Sequence, residues 1–317
     1  MSSQHPLTIG ESPRERRRRV VVTGGSGKLG RSTVTHLSQN GWEVINFDRV
    51  RPKGASEDGK SGICGALRVV EVDLTNMGQV LEAMMEIDMA YKGVDAVVHL
   101  AAMPSPGQSA SSHQFNTNVS STYNVLEACR KQNISNIVMA SSETLIGIPL
   151  DIPPTSLPIT EDTPLQPESA YSLSKLVGET LADQFVRWSA QSHRNTGGEI
   201  KIISFRFSNV MLEEEYATFA SWQDDPKKRY WNCWGYIDAR DGAKAIELAL
   251  QKDIKGHHKY IIANNNTVMK TPSAELVKQV FPNVPYKPLS DNPNVTVLSN
   301  EKAKKELGWE PQYDWKA

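Results

Sequence analysis

The sequence predicts an α/β fold, in which a doubly wound parallel sheet carries a smaller, discontinuous C-terminal lobe. Apolar runs of strand length alternate with stretches of helical periodicity over the first two thirds of the chain. This alternation is typical of right-handed βαβ units, in which helices cover both faces of a parallel sheet. Beyond residue 206 the pattern loosens into loops, and these predict the second lobe.

The individual elements follow from the same patterns. Short apolar runs predict strands at 20–25, 43–48, 67–72, 95–100, 136–141 and 200–206. Periodic stretches between them predict helices near 28–40, 76–91, 109–132 and 168–190. A Gly-, Lys- and Ser-rich segment without periodicity predicts an exposed loop at 50–65. The predicted main domain is 20–206 plus 237–262, and the predicted lobe is 207–236 plus 263–317.

A glycine-rich turn, Thr23 to Gly30, joins the first predicted strand to the first helix. Gly24 permits the tight turn, Gly27 lets the backbone approach a pyrophosphate, and Gly30 lets the helix pack closely on the strand. The helix N-terminus, with Lys28 and Leu29, supplies amide donors and the positive end of a dipole. The turn indicates a Rossmann-type dinucleotide site, although the glycine spacing alone also fits a purely structural turn.

Asp48 ends the second predicted strand, about 20 residues past the glycines. A carboxylate at that position accepts hydrogen bonds from the adenosine ribose and repels a 2′-phosphate. The predicted cofactor is therefore NAD rather than NADP. Arg49 and Arg51 follow directly and offset part of the repulsion, so NADP stays an alternative.

Tyr171 and Lys175 lie four residues apart, and on a helix such residues share one face. The lysine ammonium and the positive nicotinamide of NAD both favour the phenolate of a tyrosine, whose pKa is ordinarily near 10. That phenolate takes a proton from a substrate hydroxyl while the adjacent carbon delivers hydride to the nicotinamide. Ser142, at the end of the fifth strand, is expected to hydrogen-bond the same substrate oxygen. Taken alone, Tyr-x-x-x-Lys also arises by chance on helix surfaces.

These motifs occur in an order that resembles the extended short-chain dehydrogenase/reductase family, which contains NAD-dependent sugar epimerases, dehydratases and dehydrogenases. The resemblance runs from about Arg19 to the end of the chain. Further matches, in order, are Val72-Asp73-Leu74, His99-Leu100-Ala101-Ala102, Asn118, Ser141-Ser142, Arg206-Phe207-Ser208-Asn209-Val210 and Tyr236 to Asp241.

The resemblance implies roles for several residues. Asp73 and Leu74 are expected to flank the adenine, and Ala101 with Ala102 is expected to line the cofactor. The implied catalytic trio is Ser142, Tyr171 and Lys175. For Asn118 two interpretations stay open, a place in a cofactor or water network and a helix-packing amide.

Departures from the family pattern bear on the reaction. Sugar epimerases commonly show Ser-x-x-x-Tyr-Gly after the fifth strand, whereas this chain has Ile146 in the tyrosine position. The adjacent Asp-Glu of nucleotide-sugar dehydratases is here Glu143-Thr144, and Met211 to Glu215 replace the usual Tyr-Gly-Pro. These differences favour an NAD-dependent dehydrogenase of a sugar, sugar acid or other small alcohol, similar to the uronate dehydrogenases. The alternatives are a nucleotide-sugar 4-epimerase with tightly bound NAD and a non-catalytic NAD-sensing protein.

An aromatic stretch precedes the Tyr236 motif. Trp231 and Trp234 are expected either to stack on a sugar ring or to pack the small lobe onto the sheet. Lys227, Lys228 and Arg229 are expected to lie on a solvated loop, with binding of a phosphate or carboxylate as the alternative.

Charge and composition exclude several classes of partner. The 317 residues include 35 basic and 36 acidic ones, so the net charge of −1 indicates neither nucleic acid nor an anionic membrane surface as a partner. No apolar run approaches the roughly 20 residues of a membrane span. Three cysteines without a CxxC predict no metal site and a reducing, cytoplasmic location.

The remaining expectations concern the tail and the assembly. Residues 1–19, which end in an arginine cluster, are predicted to form a disordered basic tail. The predicted partner is a small-molecule substrate, and the family resemblance implies a homodimer through the helices near 109–132 and 168–190.

Overall fold

The computed structural model of the chain describes residues 18–50, 66–85, 93–191 and 198–316. The strands are β1 (Arg19–Thr23), β2 (Glu43–Asp48), β3 (Ala66–Glu71), β4 (Ala96–His99), β5 (Asn136–Ser142), β6 (Lys201–Phe207), β7 (Val210–Met211), β8 (Ile237–Asp238) and β9 (Gly256–Ile262). Seven of them form one parallel sheet in the order β3-β2-β1-β4-β5-β6-β9, while β7 and β8 pair separately. The predicted fold class, a doubly wound parallel sheet, is confirmed.

The helices cover both faces of this sheet. They are α1 (Lys28–Gln39), α2 (Met77–Met85), α3 (Ser111–Lys131), α4 (Ala170–Ser189), α5 (Ala239–Gln251), α6 (Ser273–Val280) and α7 (Glu301–Leu307). Val20 and Val22 of β1 point to the core beneath α1 and α5, and Val21 points to the core beneath α2, α3 and α4. This alternation follows from the two-residue period of a strand.

The predicted elements agree with these bounds to within two residues wherever the structure describes them. The first strand stops at Thr23 rather than 25 because Gly24 adopts a left-handed backbone conformation, with φ +69°, that ends the extended run. The second predicted helix begins at Met77, and its predicted end lies outside the described residues. Also outside them are most of the tail, most of the 50–65 loop and Arg51.

The sheet register brings the functional strand ends together. Thr23 at the end of β1 lies beside Phe47 of β2 on one side and His99 of β4 on the other. The chain moves outward from β1 through β2 to β3 and then returns to β4 on the opposite side of β1. Open α/β sheets bind ligands at such a change of direction, outside the carboxyl ends of the strands.

A third apolar core builds the second lobe. Its largest fully buried side chains are Phe219, Trp234 and Tyr236. The segment 146–159, which the prediction assigned to the main domain, also packs here, because the amide of Ile159 donates to the carbonyl of Val297 at 2.8 Å. β9 joins the main sheet beside β6, whereas β8 pairs with β7 of the lobe. The domain bounds themselves stay a prediction.

Residues 18–50, 66–85, 93–191 and 198–316 contain neither a membrane-spanning helix nor a cluster of metal ligands. No helix in that part of the chain is long and apolar enough to cross a membrane. The same residues include no group of three or more His, Cys, Asp or Glu side chains arranged to hold a metal ion.

Candidate active site

A cavity of about 1580 Å³ runs along the carboxyl edge of the sheet. Its walls come from the β1–α1 turn, the ends of β2, β5 and β6, the loops after β3 and β4, and the start of α4. All but one of the predicted site residues line it: Gly24, Gly27, Lys28, Leu29, Gly30, Asp48, Asp73, Leu74, Ala101, Ala102, Ser142, Tyr171 and Lys175. The exception is Asn118. A cavity of this size has room for a dinucleotide together with a small substrate.

The glycine turn is close-packed and leaves a free helix end. A Cβ on Gly24 would lie 2.7 Å from the Cα of Ala101, and one on Gly30 would lie 2.1 Å from the carbonyl oxygen of Gly24. Gly27 is the N-cap of α1, where no side chain caps the helix and no acidic residue occupies the first turn. The first amides of α1 therefore meet the cavity without a competing anion, an arrangement that fits the pyrophosphate of a dinucleotide.

Asn46 holds this turn in place, although it belongs to none of the motifs recognised in the sequence. Its buried side chain accepts a hydrogen bond from the amide of Gly25 at 2.9 Å and donates to the hydroxyl of Ser26 at 3.1 Å. The available signal was an amide inside the apolar strand β2, since a buried polar side chain requires a partner.

Asp48 is fixed at the end of β2 by the backbone. Its carboxylate accepts hydrogen bonds from the amides of Ser26 at 3.0 Å and Val50 at 3.3 Å. The neighbouring Arg49 is exposed, lines the cavity, and its charge helps to lower the pKa of Asp73. The larger cause of that lowered pKa is the hydrogen bond from the amide of Thr75 to the Asp73 carboxylate.

We expect NAD to bind at least tenfold more tightly than NADP, because the carboxylate of Asp48 faces the position of the added phosphate. Titration of both cofactors by quenching of tryptophan fluorescence measures the ratio. Asp48→Asn should lower the ratio of NAD affinity to NADP affinity. The same change at the exposed Asp151 serves as the control and should leave that ratio unchanged. Equal or tighter NADP binding by the wild type would show that Arg49 governs this part of the cavity.

Asn118 lies beneath the cavity rather than on its lining. Its side-chain oxygen accepts from the amide of Met103 at 2.8 Å, and its nitrogen donates to the hydroxyl of Ser174 at 3.1 Å. It thus joins the loop after β4 to helix α4. These contacts suit the helix-packing interpretation better than direct contact with a cofactor.

His99 is a buried structural group. Its Nδ1 lies 2.8 Å from the hydroxyl of Thr23, and its Nε2 lies 3.2 Å from the hydroxyl of Thr122. Burial lowers the pKa of His99 to about 3, with a smaller contribution from the charge of Lys175. The ring is therefore neutral, and it links β1, β4 and α3 beneath the cavity.

The predicted catalytic trio meets at one end of the cavity. Ser142 is the last residue of β5, and α4 begins at Ala170 with a capping box made by Ser169 and Ser172. This start places Tyr171 and Lys175 on successive turns, with the ammonium of Lys175 5.8 Å from the centre of the Tyr171 ring. The same ammonium donates to the carbonyl of Ala140 at 2.7 Å, next to the strand end that carries Ser142.

The electrostatics of the trio differ from the expectation for Tyr171. Burial raises the pKa of Tyr171 to about 12, the Ser142 hydrogen bond opposes that rise, and the charge of Glu143 adds to it. Burial also lowers the pKa of Lys175 to about 8, and the charge of Glu179 opposes that shift. The cost of removing a phenolate from water therefore outweighs the effect expected from the neighbouring ammonium.

A buried ion pair supports this end of α4. The guanidinium of Arg206 on β6 donates to both carboxylate oxygens of Glu179, at 2.9 and 2.8 Å, and the hydroxyl of Ser141 donates to one of them at 2.7 Å. Glu179 lies one turn beyond Lys175. The pair thus fixes α4 against the ends of β5 and β6. The planar guanidinium of arginine is suited to such bidentate hydrogen bonding with a carboxylate.

Lys28 reaches across the cavity to the second lobe. Its ammonium lies 2.6 and 2.8 Å from the two carboxylate oxygens of Glu215 and donates to the carbonyl of Val210 at 3.2 Å. The residue predicted to contact the cofactor therefore also joins the glycine turn to the segment that follows β7.

Beside the trio, the cavity is lined by a residue with a buried carboxylate, Glu143, which directly follows Ser142. It accepts hydrogen bonds from the hydroxyl of Ser208 at 2.6 Å and the side-chain nitrogen of Asn232 at 3.2 Å. Burial raises the pKa of Glu143 to about 7, an effect that the Ser208 hydrogen bond and the charge of Arg229 oppose.

The aromatic stretch divides between core and cavity. Trp234 is fully buried and its indole donates to the carbonyl of Pro226 at 2.7 Å, whereas Trp231 lines the cavity. Lys227 and Lys228 are exposed as expected, but the solvated loop predicted for Arg229 is wrong. Its side chain is buried because Trp222 and Trp231 enclose the guanidinium, at 4.4 and 4.6 Å from the ring centres.

Comparison with known proteins identifies the family. The model of the NAD-dependent epimerase/dehydratase family matches residues 20–263. The chain belongs to this family. It is accordingly an NAD-dependent enzyme of the extended short-chain dehydrogenase/reductase type, which confirms the predicted resemblance and the predicted cofactor.

Individual relatives and solved structures agree with that assignment. The UDP-glucose 4-epimerase of Corynebacterium glutamicum is 26% identical over 93% of this chain and 91% of its own length. The UDP-glucose 4-epimerase of Streptococcus mutans is 24% identical over 93% of this chain and 92% of its own. The UDP-glucose 4-epimerase of Bifidobacterium longum, solved with NAD+ and UDP, is 23% identical and superimposes with a TM-score of 0.67 over 94% of each chain, which shows a shared fold.

Proposed function

We propose that this enzyme transfers hydride between NAD and a secondary alcohol or carbonyl of a sugar, sugar acid or other small alcohol. The observation that carries this proposal is the cavity that Ser142, Tyr171 and Lys175 share with the glycine turn. Cofactor and catalytic side chains that line one cavity can act on the same substrate carbon.

Each part of the cavity has a proposed role toward the cofactor. The amides at the start of α1 hold the pyrophosphate, Asp48 accepts from the ribose, and Asp73 with Leu74 flanks the adenine. Ala101 and Ala102 line the remainder of the cofactor. When bound, NAD supplies the acceptor or donor of hydride.

The catalytic side chains move the accompanying proton. The phenolate of Tyr171 accepts a proton from the substrate hydroxyl in oxidation, and the phenol so formed returns that proton to the substrate oxygen in reduction. The hydroxyl of Ser142 hydrogen-bonds that oxygen and orients it. The ammonium of Lys175 lowers the free energy of the phenolate, which burial alone disfavours.

The second candidate is a nucleotide-sugar 4-epimerase that keeps its NAD bound. The names of the Corynebacterium and Streptococcus relatives, which span nearly the whole chain, favour it. Two local features favour the dehydrogenase instead. Ile146, in the position of the epimerase tyrosine, packs into the apolar core of the lobe, and Glu215 in the replaced Tyr-Gly-Pro region is paired with Lys28.

We also propose a homodimer and a cytoplasmic location. Tyr123 on α3 and Leu173 on α4 expose 42% and 43% of their surface, which supports a dimer interface on these helices. Cys129 and Cys233 are buried free thiols, as is usual in a reducing compartment.

A substrate screen tests the proposed function. The enzyme is incubated with NAD+ and aldoses, uronic acids or secondary alcohols while NADH absorbance is followed, and UDP-glucose is assayed in parallel for UDP-galactose. We expect net NADH with a free sugar or small alcohol. Interconversion of the UDP-sugars without net NADH would favour the epimerase. If neither reaction occurs, the non-catalytic NAD-sensing protein is the remaining alternative.

A further inference from the structure

We propose that Glu143 and Trp231 form a sugar clamp, in which the carboxylate accepts a hydrogen bond from a ring hydroxyl and the indole packs against the apolar face of a neutral sugar ring. This inference rests on the proposed function and specifies the substrate of the same cavity. Both residues line the cavity, and Glu143 directly follows the catalytic Ser142.

The carboxylate of Glu143 retains capacity to accept a further hydrogen bond. An ionised carboxylate offers about four acceptor positions. Ser208, Asn232 and the backbone of Asn209 provide its hydrogen bonds from the protein. At least one acceptor position therefore stays available on a side chain that borders the cavity.

The turn that carries Asn232 is built to hold this carboxylate. Cys233 and Trp234 both adopt a left-handed backbone conformation, with φ +54°, which non-glycine residues rarely adopt. The side chain of Asn232 contacts Glu143 and also donates to the carbonyl of Gly235 at 2.9 Å, across the same turn. The strained turn thus fixes the orientation of Glu143 from the second lobe.

Trp231 is held rigidly beside the cavity. The Arg229 guanidinium lies against its ring and against Trp222 on the other side, and Arg229 is only 8% exposed. Trp231 lines the cavity, whereas neither Arg229 nor Trp222 does. An indole that lines a cavity and has a cation against its ring offers a rigid, flat apolar surface, which suits the C–H face of a sugar.

The charges of the clamp favour a neutral ring. Among the described residues, Nε and Nη2 of Arg229 are buried and lack hydrogen-bond partners, so this guanidinium acts on Glu143 through its charge. A carboxylate on the substrate at this position would meet the carboxylate of Glu143, while a hydroxyl would meet an acceptor. The clamp therefore distinguishes the hydroxyl of a neutral sugar from the anionic group of a uronate.

The test measures sugar binding to the NAD-loaded protein by calorimetry. The probes are D-glucose, D-galactose, D-mannose and D-xylose, the monodeoxy analogues of whichever binds best, and its uronate. At a pH above 7, where Glu143 is ionised, we expect Glu143→Gln to weaken binding of that sugar about tenfold or more, since a hydrogen bond to a charged group is replaced by one to an amide. Removal of one particular hydroxyl from the sugar should lower the affinity of the wild type by a similar factor. The same removal should lower the affinity of Glu143→Gln only slightly, because the partner of that hydroxyl is already changed.

Matched variants separate binding from folding. Glu168→Gln makes the same chemical change at the exposed rim of the same cavity and should leave sugar affinity unchanged. Trp231→Leu should weaken binding by a similar factor, and Trp231→Phe should retain most of it. Melting temperature and NAD affinity should stay near the wild-type values in all four variants.

Several outcomes overturn the clamp. The clamp is wrong if Glu143→Gln binds the sugar as tightly as the wild type does. It is also wrong if the uronate binds more tightly than the sugar, or if none of the four sugars binds. These outcomes are distinct from failure of the proposed function. If a small alcohol gives NADH but no sugar binds, only the clamp is contradicted. If a sugar binds in a way that depends on Glu143 but no NADH forms, only the proposed oxidation is contradicted.

Discussion

Tyr171→Phe is expected to lower turnover by about 100-fold or more while the fold and most of the NAD affinity persist. The change removes only a hydroxyl from a buried ring at the start of α4. That hydroxyl is the proposed carrier of the proton, and burial raises its pKa to about 12. The neutral phenol is therefore the form poised to protonate a substrate oxygen, and phenylalanine supplies no replacement donor.

Steady-state kinetics with a parallel cofactor titration measure this effect. Tyr313→Phe is the matched control, because Tyr313 is exposed and does not line the cavity. Ser142→Ala should also lower the rate more than the NAD affinity, since Ser142 is proposed to hold the substrate oxygen. Near-normal turnover by Tyr171→Phe on the true substrate would contradict the mechanism and leave Tyr171 as a packing residue.

The parts of the site that could be predicted are those that local sequence encodes. Gly24 directly follows β1, Gly30 lies in the first turn of α1, and Asp48 ends β2, and both strands are recognisable as apolar runs. A parallel sheet places all its carboxyl ends at one edge, so strand order along the chain sufficed to predict that Ser142 joins them. The cavity then brings together residues that lie more than a hundred positions apart.

The substrate half was not predictable in the same way. Glu143 meets Ser208 and Asn232 across 65 and 89 residues of sequence, and Asn232 lies at a turn whose backbone conformation has no local signature. Arg229 follows two lysines and reads as the end of a solvated charge run, but only the lysines are exposed. Its burial depends on two tryptophans that enclose it, and sequence alone does not show on which side of a loop they lie.

The proton affinity of Tyr171 shows the same limit for electrostatics. From the sequence one can count the neighbouring charges, and Lys175 alone indicates a lowered pKa. The sequence does not report how completely the phenol is removed from water or that Glu143 lies nearby. Both raise the pKa, so the sign of the shift differs from the expectation.

Lys175→Ala is expected to lower the rate by more than Tyr171→Phe does, and to lower NAD affinity as well. The ammonium is proposed both to stabilise the phenolate of Tyr171 and to contact the nicotinamide ribose, so one change removes two interactions. The side chain is buried and anchored to the carbonyl of Ala140, so alanine also leaves a cavity. Lys175→Met, which fills most of that volume without a charge, is therefore the companion variant.

The pH dependence of the rate tests whether the charge of Lys175 is the cause of the expected loss of rate. Burial lowers the pKa of Lys175 to about 8 while Glu179 opposes the shift, so the ammonium is present below about pH 8 and is lost above it. The share of the rate that Lys175 supplies should follow the same course, and the ratio of wild-type to Lys175→Met rates should fall as the pH rises through 8. Rates are measured across that range at saturating NAD, with Lys287→Met, at an exposed position outside the two helices of the proposed interface, as the control. A ratio that stays constant with pH would mean that Lys175 acts through packing, and a Lys175→Met enzyme with wild-type turnover would remove it from the mechanism.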